Sequence, residues 1–154
     1  MSNKRDVIKD KIIFLDFDGV MVTANQTGKD CFGPLFDLNC IKSLEEIISN
    51  TGAGLVITSS WGNYLPAIIL RLMWHVRKLP GHIYGVIQNN SYDRSERIDV
   101  WLSKHKINNY VIIDDMDYRQ FEKHHHKRLV TIKSLTGLTQ EESRRAIVLL
   151  NHDC

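Results

Sequence analysis

Asp16 and Asp18 stand two residues apart in the run Asp16-Phe17-Asp18-Gly19, and Asp114 and Asp115 are adjacent, with Asp117 just beyond. Carboxylates this close repel one another. At a separation of ~4 Å and an effective dielectric of about 20 the repulsion is roughly 4 kcal/mol, so a cation or a shared proton must intervene. An all-oxygen donor set suits a hard ion, and Mg²⁺ is the expected one. Strand alternation sends Asp16 and Asp18 to one side, while Gly19 permits a sharp turn and a close approach to a ligand. Each motif alone also reads as a plain turn or loop start; the two together, in matching context, point to a metal site of at least four carboxylates.

Apolar runs must position these groups. Ile12-Ile13-Phe14-Leu15 and Tyr110-Val111-Ile112-Ile113 read as buried parallel strands, and an open α/β sheet places its ligands in the crevice beyond the carboxyl ends of such strands. A third strand, Leu55-Val56-Ile57, runs into Thr58-Ser59-Ser60-Trp61. Hydroxyls and free amides there can hold a phosphate oxygen, although Ser60 or Asn63 serves equally well as a helix cap. Asp93-Arg94-Ser95-Glu96-Arg97 opens a helical stretch with Ile98, Trp101, Leu102 and His105 on one face. Arg94, in its first turn, is placed to neutralise a phosphoryl group.

The rest of the chain continues an α/β alternation without repeats or a linker: residues 1–10 are a polar lead-in and 11–154 a single domain. Met21 to Pro34, with Gly28 and Gly33, reads as a loop or small hairpin flap. Asp37 caps a helix with Leu38, Ile41, Leu44 and Ile48 inward. The next helix carries Leu65, Ile68, Ile69, Leu72, Met73, Val76 and Leu79, with Pro66 in its first turn. Strands are expected over 82–88 and 128–132, and Thr139-x-x-Glu142 is a capping box for a helix through Leu150. A chain of 154 residues buries about 70% of its unfolded surface, enough for one core. Three cysteines, an odd number that includes Cys154, suit a reducing cytoplasm. No stretch reads as a secretory signal or approaches the roughly 20 apolar residues of a membrane span. A net charge of +2 does not announce nucleic acid.

In order and spacing these elements resemble the haloacid dehalogenase (HAD) superfamily of aspartate-nucleophile phosphohydrolases. The residues that carry the resemblance are D-x-D-G-V at 16–20, the strand-end Thr58, a basic residue near 94 and the Asp114-Asp115 pair. More narrowly, Phe14 to Val20, Ile57 to Trp61, Arg94 to Leu102, Val111 to Asp115, and Arg128-Leu-Val before Thr136-Gly137-Leu138-Thr139 look like the small HAD domain of Swiss-army-knife RNA-repair proteins. The resemblance implies a Rossmann-like three-layer fold with a mostly parallel central sheet. It also implies a Mg²⁺-dependent phosphomonoesterase in which Asp16 forms an aspartyl-phosphate and Asp18 acts as acid and then base, its pKa raised by crowding and burial. The metal would be held by the Asp16 side chain, the Asp18 carbonyl, and Asp114 or Asp115. Thr58, Ser59 and Arg94 would bind phosphoryl oxygens. The basic third motif is often a lysine, and Arg97 and Lys104 compete with Arg94 for it. An acid at position 18 argues against dehalogenation.

Other phosphate chemistries fit poorly. Thr27-Gly28-Lys29-Asp30 ends like a P-loop, but Asp30 stands where Ser or Thr is required and Thr23 where the first glycine belongs. Six positions beyond Cys31 and Cys40, where a cysteine phosphatase needs arginine, are Asp37 and Glu46. No Cys-x-x-Cys or His-Glu-x-x-His supports zinc. About forty residues separate Asp18 from Thr58, and about thirty-five separate Thr58 from Arg94. Core elements consume nearly all of them, leaving a capless enzyme with a small flap and an open site.

By family analogy such sites often take large substrates, so a phosphorylated nucleic-acid end, RNA or DNA, is the favoured partner. A small metabolite or phosphoprotein is the alternative, and a phosphate-binding regulatory module the non-enzymatic one. No membrane and no obligate protein partner is expected. Phe32, Phe36 and Trp61 offer surfaces on which a base stacks, with packing in the core or loops as the favoured reading. Lys123-His124-His125-His126-Lys127-Arg128 reads by default as a solvated loop, with a phosphate-backbone contact or an adventitious transition-metal site as alternatives.

Overall fold

The structure, a computed structural model, describes residues 10–88 and 93–152; most of the polar lead-in and Cys154 lie outside the described residues. In chain order the elements are β1 (Lys11–Leu15), β2 (Lys29–Asp30), β3 (Gly33–Pro34), α1 (Leu38–Thr51), β4 (Gly54–Ile57), α2 (Ala67–Val76), β5 (Ile83–Val86), α3 (Arg94–Ser103), β6 (Asn109–Asp114), β7 (Leu129–Thr131) and α4 (Gln140–Asn151). Five strands form one parallel sheet in the order β5-β4-β1-β6-β7. The strand that carries the first acidic pair is therefore central, which is why it reads as an unbroken apolar run.

Alternation along β1 divides its side chains between two cores. Ile13 and Leu15 join Leu44 and Ile47 of α1, Leu70 and Met73 of α2, and Ala146 and Leu150 of α4. Ile12 and Phe14 join Val56, Ile112, Ile98 and the flanking Trp101 of α3. The fold is thus a three-layer α/β domain. Among the described residues no separate cap is inserted: the β1–α1 connection holds the β2–β3 hairpin, and β4 leads to α3 through α2 and β5. Arg77, just past α2, ties down the hairpin flap with Nε and Nη2 on the Asp30 carboxylate (2.9 and 2.7 Å) and Nη2 on the Gly33 carbonyl (3.0 Å).

Several elements depart from the sequence expectation. Asp37 caps α1 through Asn39 N–H (2.8 Å), yet the inward stripe is Cys40, Ser43, Leu44 and Ile47, with Leu38 exposed. Small residues there let α4 approach closely enough for Ser143 Oγ to donate to the Ser43 carbonyl (3.0 Å). Pro66 precedes α2 as its cap rather than lying in its first turn. That helix is apolar on two sides; Leu70, Met73 and Trp74 are buried, whereas Ile68, Leu72 and Val76 face outward. Trp74 decides the choice by stacking on Phe17, meeting Phe36 edge-on and donating Nε1–H to the Pro80 carbonyl (2.8 Å). β5 and β7 are shorter than expected, while the capping box of Thr139 and Glu142 opens α4 as read.

Candidate active site

Sheet register builds the site. Leu15 is aligned with Ile57 on one side and with Ile113 on the other, so the residues that follow, Asp16, Thr58 and Asp114, emerge level from three neighbouring strands about 4.8 Å apart. Backbone bonds carry the alignment past the strand ends, Asp16 N–H to the Ile113 carbonyl (3.2 Å) and Thr58 N–H to the Leu15 carbonyl (3.0 Å). The chain then folds back on itself, with the Phe17 carbonyl accepting from the N–H groups of Val20, Met21 and Val22. Gly19 takes φ +78° in this turn, and a Cβ there would lie 2.2 Å from Asp115 Oδ2. Glycine is required on both counts.

Asp16, Asp114 and Asp115 bring carboxylate oxygens within 4.8 Å of one another. Asp114 is fully buried and Asp16 nearly so; each accepts one backbone N–H, from Met116 (2.9 Å) and Phe17 (2.8 Å) respectively. Arg94, the first residue of α3, places Nη1 between Asp114, to which it is hydrogen-bonded, and Asp16 Oδ2 at 3.4 Å. Burial, then the Asp114 charge, raise the Asp16 carboxyl to about 7 despite the opposing pull of Arg94 and Phe17 N–H. Asp115 is also raised, by burial and then by Asp114, and its carboxylate lies within 4.8 Å of that of Asp16. An all-oxygen cluster in which Asp16 and Asp115 resist ionisation fits a hard divalent cation.

Beside Asp16, Thr58 is 2% exposed, and its buried Oγ1 has no hydrogen-bond partner among the described residues. An orphaned hydroxyl at a site edge points to a group that arrives with a ligand. Ser59 also serves as a cap: its Oγ accepts Trp61 N–H (3.2 Å) at the head of the 3-10 turn Ser60–Asn63.

Asp18 departs furthest from expectation. Its side chain is exposed and stands outside the carboxylate cluster; the crowding and burial expected of it fall on Asp16, because the turn after Phe17 carries the chain out of the sheet edge. Asp18 accepts from Trp61 Nε1–H at 3.3 Å to each oxygen, a partner the sequence reading missed. Asp117 also leaves the cluster, capping a 3-10 turn and pairing with Arg119. Of the competing cations, Arg94 reaches the site, Arg97 lies one turn along α3, and Lys104 caps the far end of that helix. Ten residues of helix span about 15 Å, which removes Lys104.

Phe36 and Trp61 are buried in an aromatic cluster with Phe17 and Trp74 and provide no stacking platform, as core packing predicts. The histidine run is a 3-10 helix, Lys123–Arg128, with His125 inside the protein rather than a solvated loop. Arg128 is engaged by Asn109 and lies over the Tyr110 ring, which removes it from a free phosphate-binding patch. His105 stacks on Trp101.

A capless parallel sheet with aspartates beyond β1 and β6 and a buried hydroxyl beyond β4 defines a HAD-type α/β domain. Residues 12–143 match the family model described as the HAD domain in Swiss Army Knife RNA repair proteins, and the chain belongs to that family. Superfamily membership supports a hydrolase. A solved structure described as a HAD superfamily (subfamily III A) hydrolase from Legionella pneumophila is similar over 92% of this chain and 84% of its own, with 12% identity and a TM-score of 0.48. No curated protein matches the chain. No helix among the described residues is long and apolar enough to cross a membrane.

Proposed function

We propose that this domain is a Mg²⁺-dependent phosphomonoesterase acting through an aspartyl-phosphate, with nucleic-acid ends as substrate. The observation that carries the proposal is the unpartnered, buried Thr58 hydroxyl level with Asp16 and Asp114 on adjacent strand ends. It supplies a ready donor for a phosphoryl oxygen next to a carboxylate nucleophile. Asp16, Asp114 and Asp115 would hold the ion, which when bound supplies positive charge that favours ionised Asp16 and offsets the charge of the phosphate.

An Asp16 oxygen attacks phosphorus while Asp18 gives its proton to the departing oxygen; Asp18 then takes a proton from the water that cleaves the acyl phosphate. Exposure suits Asp18 to proton exchange, and Trp61 Nε1–H holds its carboxylate in place. Arg94, 3.4 Å from Asp16 Oδ2, stands beside any phosphoryl group carried there and would stabilise its charge. The nucleic-acid assignment is supported by the family's description and by the lack, among the described residues, of a cap that would enclose a small substrate. It no longer draws on aromatic stacking.

Phosphate release from 3′- and 5′-phosphorylated RNA and DNA oligonucleotides, beside a generic aryl phosphate and with Asp16→Asn as blank, tests both levels. Mg²⁺-dependent turnover that vanishes in Asp16→Asn and prefers one oligonucleotide end is expected. Turnover of aryl phosphate alone would redirect the substrate to metabolites or phosphoproteins. Silence on all substrates would overturn the enzyme.

A further inference from the structure

We propose that Asp99 on α3 and His124 and His125 on the following 3-10 helix form a Zn²⁺-type transition-metal site, distinct from the carboxylate cluster. A 3-10 helix sends successive side chains out a third of a turn apart. His126 is thereby directed to the Phe121 carbonyl (Nε2 at 2.9 Å), while His124 and His125 turn toward α3. His124 Nε2 lies 2.9 and 3.1 Å from the two Asp99 oxygens. His125 Nε2 lies 2.9 Å from Asp99 Oδ1. Ligand atoms from all three residues lie within 4.8 Å of one another.

His125 makes this more than a surface ion pair. It is 0% exposed, and its Nε2 has no hydrogen-bond partner among the described residues despite the short distance to Asp99. The nitrogen and the oxygen are thus close without forming a well-aligned hydrogen bond, which leaves the Nε2 lone pair available to an ion between them. The other ring nitrogen, Nδ1, is 2.8 Å from Tyr110 Oη. If Nδ1–H donates to the tyrosine oxygen, Nε2 keeps its lone pair, the outer-shell arrangement that orients metal-binding histidines. Bonds of about 2.0–2.1 Å to a tetrahedral ion separate ligand atoms by about 3.3 Å, which lies within the 4.8 Å that spans the three ligand atoms here.

Two imidazoles and a carboxylate suit Zn²⁺, and differ in kind from the all-oxygen set at Asp16. The half-exposed His124 leaves a side open from which water can complete the shell. Zinc signatures in sequence are searched for along one helix or in cysteine pairs; here the third ligand comes from an element one strand earlier. An ion at this point would join α3 to the segment between β6 and β7, adding to the existing bond from Glu122 N–H to Ser95 Oγ (3.0 Å). It would thereby hold the helix whose first residue is Arg94.

The test is Zn²⁺ titration of the chelator-stripped full chain, in excess Mg²⁺, against a chromophoric zinc indicator, with Co²⁺ absorption as a second readout of ligand geometry. One equivalent of Zn²⁺ is expected. His124→Ala and Asp99→Asn, both at solvent-reached positions, should weaken it at least tenfold, and Tyr110→Phe about 10- to 100-fold. Asp16→Asn should bind Zn²⁺ as the parent does. Failure to bind one equivalent, binding indifferent to His124→Ala and Asp99→Asn, or binding lost in Asp16→Asn would each overturn the assignment. Since none of these readouts uses turnover, they stand apart from the proposed phosphatase activity.

Discussion

Substituting alanine for Gly19 separates backbone strain from metal-site geometry, because a second glycine supplies the control. Gly19 and Gly52 both adopt left-handed φ, +78° and +68°, so Ala at either position incurs a similar strain of about 1–2 kcal/mol. For a chain of this size that corresponds to a fall in melting temperature of roughly 2–8 °C. Around Gly52 nothing lies within 4 Å of the added methyl, whereas at Gly19 it meets Asp115 Oδ2 at 2.2 Å and Ser134 Cβ at 3.1 Å. The carboxylate is the flexible partner and must swing aside, taking one of three candidate ligands from the cluster. Gly52→Ala should therefore lose stability and keep Mg²⁺ binding, while Gly19→Ala loses comparable stability and most of its Mg²⁺ affinity. Calorimetric titration with Mg²⁺ and thermal melts of the two variants read the two effects separately. Parental Mg²⁺ affinity in Gly19→Ala, or equal loss in both variants, would refute the role given to Asp115.

The Asp16 carboxyl stands at about 7 in the folded chain against 3.8 for an unperturbed aspartate, so between those pH values the native state holds a proton that the unfolded chain has released. Stability without metal should fall as pH rises through that window and level off above it; denaturant melts in chelator should show a smaller fall in Asp16→Asn, and an identical one would exclude Asp16 as the source. Thr58→Val removes a hydroxyl that bonds nothing in the resting protein, so it should leave the melting temperature unchanged or raised while lowering kcat by about 10²–10³-fold; a large loss of stability would show that the hydroxyl is structural. Asp18→Asn should impair release of poor alkoxide leaving groups far more than of an aryl phosphate, because only the former need a proton in the transition state. Equal losses on both would deny it the acid role.

Much of the fold was legible because it is specified locally. An apolar run such as Ile12 to Leu15 is hidden on both faces of a central strand, and its shortness and β-branched members favour a buried parallel strand over a helix. Asp37 caps α1, and Thr139 and Glu142 open α4, through bonds made within one turn of chain. The helix faces were less legible: α2 has two apolar stripes, and which is buried depends on Trp74 meeting Phe17 and Phe36 from distant parts of the chain.

At the site the same division holds. Residue order alone places aspartates after two apolar strands and a threonine after a third, since strand ends are where polar residues replace apolar ones. Which of these polar groups meet depends on how the strands pair. Parallel register sets Asp16, Thr58 and Asp114 level, and a left-handed Gly19 makes room for Asp115. The turn after Phe17 carries Asp18 out to Trp61, and Arg119 holds Asp117 apart. His125, one of three adjacent histidines, became a buried ligand candidate, its Nε2 without a hydrogen-bond partner among the described residues, only because a 3-10 turn brought it against Asp99. Residue type is a local property, but the direction of a side chain and the neighbour it finds depend on the packing of the whole sheet.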